Sequence, residues 1–119
     1  MNLNSILVGS EDPKRLTEYY TRLFGKPTWE GDDFNGWQIG SGWITVGPHS
    51  EVKGKNNQPG RIIWNIETAD VKSEFEKLRD AGATIVREPY QAGGDGDGEM
   101  WIATISDPDD NYFQLVSPM

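Results

Sequence analysis

Cysteine is absent from this chain of 119 residues, and histidine occurs only once, as His49. The absence of a thiol excludes disulfide bonds, a cysteine nucleophile and cysteine-based zinc sites. A single histidine also excludes an iron site made of two histidines and one carboxylate within one chain. Extradiol dioxygenase chemistry, which needs such a site, is therefore excluded for a single subunit.

Basic residues and long apolar runs are also scarce. Eleven Lys and Arg stand against 19 Asp and Glu, which gives a formal net charge of −8. This charge repels phosphate backbones and anionic lipids, so we expect neither nucleic acid nor membrane as a partner. No segment reaches the roughly 18 apolar residues of a membrane helix, and residues 1–15 lack the pattern of a signal peptide. We predict a cytoplasmic protein with a neutral or cationic ligand.

The chain does contain enough apolar residues for one packed domain. Hydrophobic residues make up 35% of it, and five Trp, four Tyr and four Phe are included. A chain of this length with that composition is typical of a single folded domain rather than a disordered segment.

The first part of the chain predicts one strand, one helix and three further strands. An apolar run at residues 3–8 is followed by Asp12, a suitable helix cap, and by Pro13 at the first helical position. Apolar residues then recur at helical spacing until Gly25 ends the helix. Short segments at residues 28–30, 34–40 and 42–47 alternate in polarity and predict strands.

The same order returns after a polar connector at residues 49–60. RIIWNIE predicts a strand, a helix begins at Thr68 or Asp70 and ends at Gly82, and three strands follow near residues 84–86, 100–106 and 112–116. We therefore predict an α+β protein made of two βαβββ modules, at about residues 1–48 and 60–119.

Two segments carry a resemblance to a known family. The first segment, EDPKRLTEYYTRLFG, contains the start of the first helix and the helix itself. The second segment, ATISDPDDNYFQL, lies near the end of the sequence. With the tandem βαβββ order, these segments make the chain similar to the vicinal oxygen chelate superfamily, which includes glyoxalases, bleomycin-resistance proteins and extradiol dioxygenases. The family's ending reads D-P-x-G-N-x-x-x-L, and this chain departs from it only at Asp110. Because Asp tolerates left-handed backbone well, we expect Asp110 to adopt that conformation.

The resemblance implies a curved mixed sheet around a concave cavity and a twofold homodimer. It places the metal-ligand positions of metal-dependent members at Ser5, Thr45, Ile63 and Gln114. Ile63 has no donor atom and the other three offer only neutral oxygen, whereas divalent ions prefer histidine, carboxylate or thiolate. We therefore expect no divalent metal and no other cofactor.

Alternation along the strands predicts which residues line such a cavity. The side chains that point away from the helices form a mixed aromatic, aliphatic and amide wall, which suits a small organic ligand. The candidate binding residues are Ser5, Trp43, Thr45, Ile63, Asn65, Tyr112 and Gln114, with His49 at the start of the connector. Their neighbours, Ile62 and Trp64 among them, are expected to face the helices.

Each candidate also has a purely structural interpretation. Gln114 and Asn65 are equally consistent with hydrogen-bonded structural amides, because a buried amide needs partners with or without a ligand. Trp43 is consistent with an ordinary core residue, and His49 with a solvated loop residue.

Two acidic segments partly resemble calcium-binding loops. Asp107, Asp109 and Asn111 match the first ligands of such a loop, but the position that requires glycine holds Tyr112. We predict a turn that directs the last strand. The segment GGDGDGEM at residues 93–100 is interpreted as an acidic loop, or as a flap over the cavity.

Two functions from different classes follow. One is a metal-free binding protein of the bleomycin-resistance type, which sequesters a small organic ligand. The other is a glyoxalase-like lyase or isomerase that acts on a small carbonyl compound, with Glu67, Glu99 or His49 as its base. The poor set of metal donors favours the binding protein, and fold alone does not choose between them.

Overall fold

The computed structural model describes residues 1–92 and 100–118, and within them the predicted βαβββ order occurs twice. The chain divides into two compact units, Met1–Lys55 and Asn56–Met119. Each unit has one helix and one four-stranded mixed sheet, so the α+β class and the tandem order of elements are confirmed. In the described residues, neither helix has the length and apolar character needed to cross a membrane.

The first unit forms a sheet with strand order β1-β4-β3-β2. Strands β1 and β4 are parallel, and the other neighbouring pairs are antiparallel. The elements are β1 (Ser5–Ser10), α1 (Pro13–Phe24), β2 (Trp29–Glu30), β3 (Asn35–Ile39) and β4 (Gly42–Pro48).

Helix α1 begins and packs as its sequence predicts. The Asp12 side chain accepts a hydrogen bond from the backbone N–H of Arg15 at 3.3 Å, which satisfies one of the unpaired amides of the first turn. The apolar stripe packs against β1 and β4. The ring of Tyr20 is centred 6.0 Å from that of Trp37, which lies on β3. The indole N–H of buried Trp37 donates a hydrogen bond to the carbonyl oxygen of Gly25 at 2.8 Å, so this polar group of the indole has a partner at the C-terminal end of the helix.

The second unit repeats this arrangement with strand order β5-β8-β7-β6. Again the first and last strands of the unit, β5 and β8, are parallel neighbours. Phe113 and Leu115 of the last strand are buried, and the ring of Trp64 stacks on that of Phe113 with centroids 4.7 Å apart. The elements are β5 (Ile63–Glu67), α2 (Val71–Asp80), β6 (Thr84–Ala92), β7 (Met100–Ser106) and β8 (Tyr112–Val116).

Two predicted details of the second unit are wrong. Ile62 was expected to face the helix, but β5 begins one residue later and Ile62 is 73% exposed. Strand β6 was expected to be short, but it continues through Pro89 to Ala92. It does so because β6 is an edge strand with register shifts between Ile85 and Tyr90, where a proline removes no regular ladder hydrogen bond.

The acidic segment before β8 is a turn, as predicted. Asp107 is only 2% exposed, and its carboxylate accepts hydrogen bonds from the backbone N–H groups of Asp109 at 2.8 Å and Asn111 at 3.0 Å. Asp110 has a φ of 62°, so it adopts the left-handed conformation expected where the family has glycine. The turn leads directly into β8, the strand that carries Gln114.

Candidate ligand-binding site

An open cavity of about 350 Å³ lies on the sheet of the first unit. It is on the face opposite α1, because Ile44 and Val46 of β4 are buried while Trp43 and Thr45, which alternate with them, are half-buried. Three of the eight predicted binding residues meet in this cavity. Its lining is Asn4, Ser5, Trp29, Gly36, Trp43 and Thr45.

The register of the strands explains why these residues come together. Trp29 pairs with Gly36, Gly36 pairs with Thr45, and Thr45 pairs with Leu7, so these four residues form one row across the sheet. Two residues along the strands, in the next row on the same face, Trp43 lies directly beside Ser5. Because side chains in one row and in alternate rows share a face, the cavity is a consequence of the pairing of all four strands.

Two indole side chains and one glycine shape the cavity. A Cβ atom placed on Gly36 would lie 3.4 Å from Cε3 of Trp43, so this indole extends diagonally over the glycine. Trp29, which is 52% exposed, folds back towards Gly31, where an added Cβ would lie 2.4 Å from Cη2 of the ring. The cavity therefore has aromatic walls and a floor at Gly36 that bears no side chain.

The polar groups of the cavity are neutral. Ser5 and Thr45 contribute hydroxyl groups and Asn4 contributes an amide, and none of the described lining residues carries a formal charge. Such groups can donate hydrogen bonds to a ligand and accept them from it without the cost of burying an ion. The arrangement can therefore hold a planar apolar ring and orient its polar edge.

The other four strand candidates lie on one face of the second unit's sheet. Ile63 pairs with Tyr112, and Asn65 pairs with Gln114. The Nε2 of Gln114 donates to Oγ1 of Thr104 at 3.2 Å, which is the structural role that the sequence left open for this amide. These four residues lie in two alternate rows of the same face. Their part in ligand binding stays a prediction.

The proposed bases are not brought into the cavity of the first unit. His49 is exposed just after β4, and its Nδ1 accepts a hydrogen bond from the backbone N–H of Glu51 at 3.2 Å. Glu67 is exposed at the end of β5. Glu99 and the loop interpreted as a flap, at residues 93–99, lie outside the described residues.

The residues at the implied metal positions do not fit a divalent ion. Ser5 and Thr45 offer hydroxyls, Ile63 offers no donor, and the amide of Gln114 already donates to Thr104. Across residues 1–92 and 100–118, no three His, Asp or Glu side chains are grouped as a metal site requires. The absence of a metal in the functional protein stays a prediction.

A second cavity, of about 260 Å³, lies in the second unit and contains none of the predicted residues. Its polar groups are already engaged within the protein. The carboxylate of Asp70 caps α2 by accepting from the backbone N–H of Ser73 at 3.1 Å, and Nζ of Lys72 lies 3.8 Å from the centre of the Trp101 ring. The cavity of the first unit is therefore the better candidate site.

Sequence reasoning missed three residues of the lining: Asn4, Trp29 and Gly36. The alternation in FNGWQIG places Gly36 on the face opposite to Trp37, but only the pairing of β3 with β4 places it on the same face as Trp43. Trp29 lies in a strand of only two residues, too short to show a period, and Asn4 precedes β1. Both are located by strand pairing and not by any local pattern.

Comparison with known proteins agrees with the fold. The family model described as "Glyoxalase-like domain" matches residues 5–116. No curated protein sequence matches this chain significantly.

Solved structures match across nearly the whole chain. One described as a "conserved domain protein" is 21% identical, covers 100% of both chains and has a TM-score of 0.79. A glyoxalase/bleomycin resistance protein/dioxygenase family enzyme from Burkholderia phytofirmans PsJN is 19% identical, with 100% of both chains covered and a TM-score of 0.73. A glyoxalase-related enzyme from Fulvimarina pelagi is 16% identical, covering 99% of this chain and 88% of its own, with a TM-score of 0.74. Such identities show a shared fold. Because the family model spans nearly the entire chain, this protein belongs to the glyoxalase-like domain family of the vicinal oxygen chelate superfamily.

Proposed function

We propose that this protein is a metal-free small-molecule-binding member of its superfamily, which sequesters a small, neutral, planar aromatic compound. The ligand occupies the cavity of the first unit, with its ring against Trp43 and Trp29 and its polar edge towards Ser5, Thr45 and Asn4. This is binding of the bleomycin-resistance type, in which the protein retains the ligand and does not convert it.

The observation that carries the proposal is the pairing of two partly exposed tryptophans around a glycine floor. An indole exposed to water as much as Trp29, at 52%, buries apolar area when a flat ligand covers it. The volume of about 350 Å³ is at the small end of the range for ligand pockets, roughly 300–1,000 Å³. Compounds of one or two rings fit such a space.

The neutral character of the ligand follows from the lining. Hydroxyl and amide groups supply no opposite charge, so an ionised ligand would lose its hydration without gaining an ion pair. The net charge of −8 further disfavours anions at long range, although it does not distinguish neutral from cationic compounds. Together these two observations favour a neutral ligand.

The same proposal includes a twofold homodimer. In each unit, large apolar side chains outside the cavity are exposed, and a second copy of the chain is the partner that we propose to cover some of them. These side chains are Leu3 at 89%, Leu7 at 54%, Ile62 at 73% and Val86 at 44% exposure.

The proposal is tested by a binding screen with two matched tryptophan variants. The screen uses neutral aromatic amides, benzamide and 2-naphthamide among them, and detects binding by thermal shift and calorimetry. Trp43→Ala removes one wall and is expected to weaken binding by about 1–3 kcal/mol, the usual contribution of stacking a planar ring on an aromatic side chain. Trp101→Ala, which alters the second cavity, is the control and should leave the affinity unchanged. Loss of affinity in Trp101→Ala but not in Trp43→Ala would mean that the ligand occupies the second cavity, which would contradict the proposal.

Metal analysis separates this function from the glyoxalase-like alternative. We expect the purified protein to bind the amide equally well before and after treatment with a chelator. Stoichiometric zinc, nickel or iron, together with binding that is lost on chelation and restored by the metal, would favour the enzyme instead.

A further inference from the structure

The floor of the cavity carries no side chain, and this feature has a definite origin in the sheet. Gly36 stands between Trp29 and Thr45 in one cross-strand row. Any other residue at this position would project a side chain from the middle of the row into the cavity. Its backbone does not require glycine, because the residues with positive φ are elsewhere in the described chain.

The space above Gly36 is large enough for one more carbon atom. A Cβ atom there would lie 3.4 Å from Cε3 and 3.6 Å from Cζ3 of Trp43, and 3.7 Å from Oγ1 of Thr45. These are ordinary van der Waals distances, so an alanine fits without displacing either wall. Glycine is therefore not needed for packing, and the volume that it leaves is available to a ligand.

We propose that Gly36 is the residue that determines the size of the ligand's ring system, by giving a second fused ring access to the floor. This inference rests on the proposed function. A single ring needs only the indole walls, whereas a fused pair of rings extends over the position of the absent Cβ. A methyl group at the floor should then weaken the binding of a two-ring ligand and leave the binding of a one-ring ligand nearly unchanged.

The effect of a methyl group at Gly36 depends on how closely the cavity is packed. A methyl group on Gly36 would already be in contact with Trp43 and Thr45, so a ring atom cannot occupy the same volume. One carbon more or less in a tight pocket changes discrimination between ligands by roughly 10- to 200-fold. Gly36→Ala should therefore lower the affinity for a two-ring ligand by that factor.

The test compares benzamide with 2-naphthamide, which share the amide group and differ by one fused ring. The native protein should bind 2-naphthamide more tightly, because the second ring buries additional apolar area. Gly36→Ala should lose this preference through weaker binding of 2-naphthamide, while its affinity for benzamide stays nearly the same. The matched control is Gly42→Ala in the same sheet, where an added Cβ would lie 3.9 Å from the carbonyl oxygen of Ile39.

The outcomes distinguish this inference from the function on which it rests. Binding of both amides with equal affinity to the native protein would overturn the role of Gly36, whether or not the variant folds. Retention of the two-ring preference in Gly36→Ala would also overturn it and leave the binding function intact. Failure of the native protein to bind either amide would contradict the proposed function and, with it, this inference.

Discussion

At the scale of single residues, two glycines act on the two indoles of the cavity in different ways. Gly31 allows the ring of Trp29 to fold back over the chain, because a Cβ atom there would clash with the ring, whereas Gly36 leaves the volume of a methyl group open beside Trp43. Both effects arise because glycine has no side chain. They can be recognised only once the positions of the neighbouring side chains are known.

The contact between Gly31 and Trp29 gives a testable prediction. A Cβ atom at Gly31 would lie 2.4 Å from Cη2 of the indole, which is closer than atoms can approach, so Gly31→Ala must displace the ring. Binding of 2-naphthamide should then weaken by about 0.5–1.5 kcal/mol, the contribution of one aromatic pair. Calorimetry measures this change. Gly60→Ala, where an added Cβ has nothing within 4 Å, is the control. Equal affinities in both variants would show that Trp29 makes no contact with the ligand.

At the scale of elements, the sequence predicted best what local chemistry determines. Asp12 and Asp70 cap the two helices, and the left-handed turn falls at Asp110, because each depends on residues a few positions away. The predicted extent of β6, residues 84–86, was too short. The edge strand continues through Pro89, in a stretch where its register with β7 shifts. Tertiary pairing overrode the local signal there.

The turn before β8 depends on one buried carboxylate. Asp107 accepts hydrogen bonds from Asp109 and from the backbone and side chain of Asn111. Asp107→Ala leaves these donors without that acceptor and should lower the free energy of unfolding by about 1–3 kcal/mol. Chemical denaturation measures the effect.

Exposed Asp33 provides the matched control for this substitution. Asp33→Ala should change stability by no more than about 0.5 kcal/mol, because it alters only a surface group. Similar small losses in both variants would mean that the carboxylate does not hold the turn together.

At the scale of the whole molecule, half of the candidate site was predictable. Alternation along β1 and β4 identified Ser5, Trp43 and Thr45, because a strand in a sheet with one buried face shows its period directly. Trp29 and Gly36 join them through pairing of β2 with β3 and of β3 with β4. Such register depends on the turns and on the side-chain contacts between neighbouring strands, and the alternation along one strand does not display it.

The molecular mass of the native protein in solution tests the proposed homodimer. We expect light scattering to give twice the chain mass of 13.3 kDa, because pairing would cover exposed apolar side chains such as Leu7. Leu7→Lys should favour the single chain by placing a charge in the apolar contact. A native protein of 13.3 kDa at all concentrations would contradict the dimer.

A crystal structure of the protein with 2-naphthamide would show whether the neutral aromatic cavity binds the ligand without a metal. We expect a planar ring against Trp43 and above Gly36, with the amide within hydrogen-bonding distance of Ser5, Thr45 or Asn4 and with no ion beside it. A metal ion coordinated at Ser5, Thr45 or Gln114, or an amide bound away from Trp43, would show that the protein does not bind ligands in this way.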